Sequence, residues 1–219
     1  MSAPPRIAVL DYEMSNLRSA VKALERLGAD VQVAHRPDEA AGAQAVVLPG
    51  VGHFGEAMRR IRAQGLDRAV LEAVAEGRPV LGICLGMQLL FEESEESPGA
   101  RGLGLLPGRV ERLRTDLKLP NIGWREVRWS EGAELAPPPG EPGFSIYYFV
   151  HSYVCCPDDP ALVLGTAHHG ADYCAVAGRP GLLGVQCHPE KSSTAGLALL
   201  GRWLQGVRAP SAGPALRAT

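Results

Sequence analysis

The stretch Val80-Leu81-Gly82-Ile83-Cys84-Leu85-Gly86-Met87-Gln88 limits the possible folds more than any other part of the chain. An apolar run closes on glycine, one residue, cysteine, one residue and glycine, and an apolar helical pattern starts at once. This is a G-x-nucleophile-x-G elbow, a sharp strand-to-helix turn that lifts one side chain above the end of a strand. Glycine is needed on both sides because a Cβ would clash inside so tight a turn. A thiolate at the tip would face the N-terminus of the helix that follows. By itself the pattern leaves a buried structural cysteine open as the alternative. A base, an orienting group and an oxyanion site have to come from elsewhere in the chain.

The segments around the elbow supply a sheet to hold it. Arg6 to Leu10 reads as a short apolar strand. Leu17, Val21, Leu24 and Leu27 recur at helical spacing behind a cap at Ser15 or Asn16. Val31 to Ala34 and Ala45 to Leu48 are two more strands. A helical stretch from about Phe54 to Glu76, interrupted near Gly65, leads to the elbow strand, and the elbow helix is expected over about Leu85 to Glu95. Strands that alternate with helices and are apolar on both faces predict an α/β fold, with a mostly parallel central sheet flanked by helices. Beyond Gly99 the texture changes. Gly123 to Trp129, Ser145 to Val154, Leu162 to Ala167, Tyr173 to Ala177 and Leu182 to Cys187 are short strands between turn signals, which predicts an additional antiparallel β region in the second half. Pro137-Pro138-Pro139-Gly140 reads as a surface loop. Ser192 or Ser193 caps a last helix carrying Leu197, Leu200 and Leu204. The expected organisation is a single domain over 1–206 with a disordered tail over 207–219.

Composition excludes several functions. A formal charge of −2 gives no electrostatic reason to expect nucleic acid or an anionic membrane. No apolar run reaches the roughly 20 residues that span a bilayer, and no signal-length apolar segment follows the N-terminus. The five cysteines are odd in number and have no paired C-x-x-C spacing, so the expectation is a cytoplasmic chain with reduced thiols, no metal site and no cofactor. Cys155-Cys156 reads as packing, as do Tyr147, Tyr148 and Phe149, while Tyr153 is a candidate for a cleft wall. His151 ends an aromatic strand beside the expected cleft. His35, His53, His168 and His169 read as solvated imidazoles.

A partner for Cys84 appears at Gln186-Cys187-His188-Pro189-Glu190-Lys191-Ser192. The apolar strand Leu182 to Val185 ends here in His-x-Glu, and catalytic groups of open α/β sheets gather at the carboxyl ends of strands. An imidazole beside a thiol takes its proton or steadies the thiolate, and a carboxylate two residues on can hold the imidazole's tautomer. Pro49-Gly50-Val51-Gly52 also closes a strand, and its glycines let backbone N–H groups converge on an anion. No phosphate-loop pattern follows. An oxyanion hole fits better, with one donor from the Gly50–Gly52 loop and one from Leu85.

With these residues in view, the chain resembles the class I glutamine amidotransferases. The resemblance rests on Pro49-Gly50-Val51-Gly52, Gly82-Ile83-Cys84-Leu85-Gly86-Met87-Gln88 and His188-Pro189-Glu190, and it runs from about residue 6 to 206. Within that family Pro49-Gly50-Val51-Gly52-His53-Phe54-Gly55, Pro120-Asn121-Ile122-Gly123-Trp124, Tyr148-Phe149-Val150-His151-Ser152-Tyr153 and His188-Pro189-Glu190-Lys191-Ser192 are similar to the glutaminase branch of histidine biosynthesis. The anthranilate synthase branch typically has His where Met87 stands. A cysteine hydrolase on the same sheet, the other alternative, would not need His-Pro-Glu or Met87-Gln88.

The resemblance implies a flavodoxin-like fold and a glutaminase with Cys84 as nucleophile, His188 as acid and base and Glu190 as its orienter. It implies an oxyanion site at Gly52 and Leu85, and glutamine binding by Gly50, Gln88, Glu96, Ser152 and Tyr153. It further implies a heterodimer with a (β/α)8-barrel cyclase, to which ammonia passes, with Asn16 and Lys191 at the interface. Three departures stand out: Glu13 and Ser15 where the family usually has glycine, and Cys187 where an aromatic is usual.

Overall fold

The computed structural model describes residues 3–138 and 145–208. The first half alternates as the periodicity predicts: β1 (Arg6–Leu10), α1 (Leu17–Arg26), β2 (Asp30–Ala34), a short α2 (Pro37–Ala40), β3 (Ala45–Gly50), α3 (Phe54–Ala63), α4 (Leu66–Ala75), β4 (Val80–Cys84) and α5 (Leu85–Leu89). In the second half come β5 (Glu93–Ser94), β6 (Gly108–Arg112), β7 (Asn121–Glu126), β8 (Arg128–Trp129), β9 (Ile146–His151) and β10 (Tyr153–Pro157). A single 3₁₀ turn leads to β11 (Val163–His168), β12 (Asp172–Arg179) and β13 (Leu182–Val185), and a second turn over Pro189–Lys191 leads to α6 (Ser193–Arg208).

The main sheet runs β2-β1-β3-β4-β13-β12-β10-β6-β5, with β11 and β8 joined to β12. Strands β2, β1, β3, β4 and β13 are parallel, and β12, β10 and β11 pair antiparallel beyond them. The fold is therefore the mixed, mostly parallel sheet expected, with helices on both faces. Successive side chains of a strand point to opposite faces, and both faces here are buried. Ile7 and Val9 of β1, Val47 of β3 and Leu81 of β4 pack with Leu24, Leu199 and Trp203 on one side. Ala8, Leu10, Val46, Leu48 and Val80 pack with Phe54, Met58, Ile61 and Val70 on the other. Central strands covered on both faces need the near-continuous apolar runs that the sequence shows. Among the described residues, no helix is long and apolar enough to cross a membrane.

Three expectations change. The elbow helix ends at Leu89, not near Glu95. The returning segment 102–106 takes over the carbonyls that would extend it: Leu103 N–H donates to Leu89 O, and the N–H groups of Leu105 and Leu106 donate to Leu90 O. The expected strand Gly123–Trp129 is two strands, because β7 pairs with β9 in a separate two-stranded sheet while β8 crosses to β11. The expected strand Ser145–Val154 likewise divides at Ser152 into β9 and β10. Pro139 and Gly140 of the surface loop, and 209–219 of the tail, lie outside the described residues; Val207 and Arg208 belong to α6.

Candidate active site

At Cys84 the chain leaves β4 with φ 55 and ψ −110, a left-handed conformation strained for a residue with a Cβ. The turn is held by close backbone approaches on both sides. A Cβ on Gly86 would sit 1.7 Å from the Leu48 carbonyl oxygen, and one on Gly82 would sit 2.7 Å from the Gly86 oxygen. The elbow is therefore wedged between β3 and its own helix, and both flanking glycines are required by contact.

His188 follows β13, which lies next to β4 with Val185 opposite Ile83. Its N–H donates to Tyr148 O at 2.8 Å, and its carbonyl accepts from Ser192 Oγ at 2.6 Å. Ser192 Oγ in turn accepts from Tyr148 N–H, so β9 and the 189–191 turn fix the imidazole together. His188 Nδ1 bonds Glu190 Oε1 at 2.8 Å, with both side chains buried. That carboxylate holds the proton on Nδ1, while Nε2 is buried without a hydrogen-bond partner, and Cys84 is the other group acting on the ring. Burial alone would lower the imidazole's pKa, but Cys84 and Glu190 outweigh it and raise it to about 10. The imidazolium form is thereby favoured at neutral pH.

A His held above its unfolded pKa of about 6.5 contributes stability that is complete below that pH and is lost as pH rises through the folded value. Glu190→Gln removes the charge that orients and stabilises the imidazolium. Glutaminase turnover is expected to fall about 10²- to 10⁴-fold. The loss of thermal stability between pH 6.5 and pH 10, followed by scanning calorimetry, should be shallower in the variant than in the parent.

The cleft in front of Cys84, about 270 Å³, is lined by Val51, Gly52, Leu85, Gln88, Glu96, Pro120, Val150, His151, Ser152 and Tyr153. Six residues named from the sequence as oxyanion or binding groups meet there. Gly50 does not reach it: it pairs with Cys84 across β3 and β4, and a Cβ on it would meet the buried Tyr12 hydroxyl at 2.0 Å. Gln88 is buried and donates from Nε2 to Tyr153 O at 3.1 Å. Glu96 is also tied into the fold, since its Oε2 accepts from Phe54 N–H at 2.8 Å, at the start of α3. Val51 N–H donates to Met14 O at 2.8 Å and so points away from the cleft. Asn16 is half-buried at the start of α1, where Ser19 Oγ bonds its Oδ1, and Lys191 is exposed on the turn that packs against α1.

Of the departures, Glu13 has φ 65, where glycine would carry no Cβ cost, and its carboxylate meets Arg60 Nη1 at 2.8 Å. Cys187 is buried among apolar residues, and burial pushes its thiol pKa up, as expected of a packing substitution. Sequence reasoning gave no role to Gln186 or Tyr12. Both are polar groups inside apolar strands or loops, and the structure puts both beside the elbow.

A buried imidazole–carboxylate pair beside a thiol on a strained elbow, at the carboxyl edge of parallel strands, defines an α/β cysteine hydrolase. The chain belongs to the class-I glutamine amidotransferase family, which it matches over residues 8–203. It is 46% identical over 202 residues to "Imidazole glycerol phosphate synthase subunit HisH" of Moorella thermoacetica, covering 92% of this chain and 95% of that protein. It is 48% identical over 198 residues to the protein of the same name from Symbiobacterium thermophilum, covering 90% and 92%. In fold it is similar to a solved glutamine amidotransferase, with a TM-score of 0.71 at 23% identity, covering 93% of this chain and 99% of that one.

Proposed function

We propose that this chain is the glutaminase subunit of imidazole glycerol phosphate synthase, acting in histidine biosynthesis in the cytoplasm. It hydrolyses glutamine and passes the ammonia to a cyclase subunit that makes imidazole glycerol phosphate and an aminoimidazole carboxamide ribotide. The observation that carries this reading is the Cys84, His188 and Glu190 constellation at a cleft bearing Gln88 and Glu96, in a chain that aligns over nine-tenths of its length with relatives of that name.

The chemistry follows from the geometry. The Cys84 sulfur attacks the side-chain carbonyl carbon of glutamine, and the carbonyl oxygen becomes an oxyanion. Leu85 N–H and a donor of the Gly50–Gly52 loop stabilise it. With Val51 N–H spent on Met14, that second donor comes from Gly52 or from rotation of the Val51 peptide. His188 Nε2 protonates the leaving nitrogen, the C–N bond breaks and ammonia departs. The neutral imidazole then takes a proton from water, whose oxygen attacks the thioester, and glutamate and the thiolate are released. Glu96 suits the substrate's ammonium, Gln88, whose NH₂ is spent on Tyr153 and Gln186, offers its Oε1 to the same end, and Ser152 and Tyr153 offer backbone groups along the cleft wall.

The cyclase would sit on the sheet formed by β7 and β9. Ile122, Trp124 and Ile146 are 56%, 50% and 42% exposed, too apolar a surface to leave in water. Trp124 stands opposite Tyr148, edge-on at 6.0 Å, and Ile122 stands opposite Val150. Because Val150 also lines the cleft, a partner on this face would cover the route by which ammonia leaves. Asn16 and Lys191 extend the surface, and a (β/α)8 barrel is the partner proposed. Trp124→Ala is expected to weaken the complex about tenfold or more, since buried Trp anchors dominate interfaces. Titration calorimetry against the cyclase measures this, and an unchanged affinity would move the interface elsewhere.

A further inference from the structure

One more polar side chain reaches the catalytic sulfur. Gln186, at the end of β13, is wholly buried, and its Nε2 lies 3.7 Å from Cys84 Sγ. Its Oε1 accepts from Gln88 Nε2 at 3.1 Å, and Gln88 Nε2 also donates to the Tyr153 carbonyl at 3.1 Å. The same carbonyl is met by His151 Nδ1 at 3.1 Å. These contacts fix which end of each amide faces which way. A carbonyl only accepts, so Gln88 must turn its NH₂ toward Tyr153. The second hydrogen of that NH₂ then meets an oxygen of Gln186, which leaves the NH₂ of Gln186 facing the sulfur. His151 is held in turn: Nδ1–H is used on the carbonyl, and Nε2 accepts from Asn121 Nδ2 at 3.1 Å. Asn121 Nδ2 also donates to Tyr173 Oη at 3.1 Å. Burial lowers the His151 pKa to about 4, which keeps the ring neutral and suited to one donated and one accepted bond.

We infer that Gln186 is a further catalytic residue, a fixed N–H donor to the Cys84 thiolate whose orientation is imposed through Gln88 by the Tyr153 carbonyl. The inference rests on Cys84 being the nucleophile. His188 contributes charge to the sulfur from one side, and Gln186 contributes a directed hydrogen bond from β13. The donor acts on both halves of the reaction. It favours the thiolate before attack, and it favours the thiolate again as the leaving group when water breaks the C–S bond of the thioester. The other titratable groups around the sulfur are the buried Tyr12, Cys155 and Cys187, none of which is a cation. Among the described residues, Gln186 is the neutral side chain that presents an N–H to the sulfur, which also meets the Val150 carbonyl at 4.0 Å.

Alkylation of Cys84 by iodoacetamide tests this without glutamine, so the outcome does not depend on whether glutamine is the substrate. The rate is followed by mass spectrometry of the Cys84 peptide in the full chain as a function of pH. Gln186→Met keeps the volume and removes the donor. It is expected to slow alkylation about tenfold below the midpoint and to displace the pH profile upward by about one unit, the size of one hydrogen bond to a charged group. A folded Gln186→Met chain whose profile overlays the parent's would overturn the assignment. Should that variant fail to fold, the parent chain carries the same test. The Gln186 side-chain NH₂ resonances in a ¹H–¹⁵N spectrum should shift as the thiol ionises and lose that titration in Cys84→Ala. Resonances indifferent to the thiol's ionisation would equally overturn it.

Discussion

Cys84→Ala is expected to reduce glutamine-dependent ammonia release at least about 10⁴-fold while leaving assembly with the cyclase unchanged. The effect should be this large because no other thiol can stand in. Cys155, Cys174 and Cys187 are buried, and burial pushes each of their thiols up. Cys156 is half-buried, and burial raises its thiol too. None of the four lines the cleft. Alanine keeps the Cβ already accommodated at φ 55, so the elbow retains its shape and the surface of β7 and β9 proposed for the partner is untouched. Coupled ammonia assays and gel filtration of the complex measure the two halves. Wild-type turnover by the variant would show that the attacking group has been misassigned.

Gly86→Ala, whose Cβ would make the shortest contact of any described glycine, is expected to cost about 3 kcal/mol or more of folding stability. The added methyl would lie 1.7 Å from the Leu48 carbonyl oxygen, an overlap that no side-chain movement relieves because the obstructing atoms are backbone. Either β3 or the elbow must move, and each carries part of the site. Gly201→Ala is the control. Its Cβ would meet only Leu27 Cδ2, at 3.8 Å, inside a helix, where alanine is favoured by about 0.5–1 kcal/mol. Urea denaturation of both variants should give opposite signs. Equal stabilities would mean the packing at the elbow is looser than these contacts require.

Much of the fold and the site was legible in the residues because the elements that matter are locally specified. The apolar runs of β1, β3 and β4 need burial on both faces, which only a helix-covered parallel sheet provides. Gly82, Cys84 and Gly86 specify their own turn. His188 and Cys84 could be paired across 104 residues because each ends an apolar run, and strand ends share an edge. What was not legible depends on partners distant in sequence. The elbow helix stops at Leu89 because 102–106 claims its carbonyls. Nothing within 85–95 signals that. Glu96 entered the site only through the family resemblance, and its bond to Phe54 N–H appears only once α3 is in place. Gln186 was visible as an amide in an apolar strand, but its contact with the sulfur requires β13 to lie beside β4. Gly50 was assigned to the cleft from its motif, yet strand pairing turns it under Leu85 and Tyr12.

If Cys84, activated by His188 and Glu190, forms a covalent bond to the side-chain carbon of glutamine, a reactive glutamine analogue should trap it. The reagent is glutamine with its carboxamide replaced by a chloromethyl ketone, added to the complex with its cyclase. Ammonia release and the labelled peptide are measured in the same sample. Activity and free Cys84 should disappear together, with one label per chain on the Cys84 peptide and protection by glutamine. Loss of activity with the label on another residue, or ammonia release that persists with Cys84 fully labelled, would rule out Cys84 as the nucleophile.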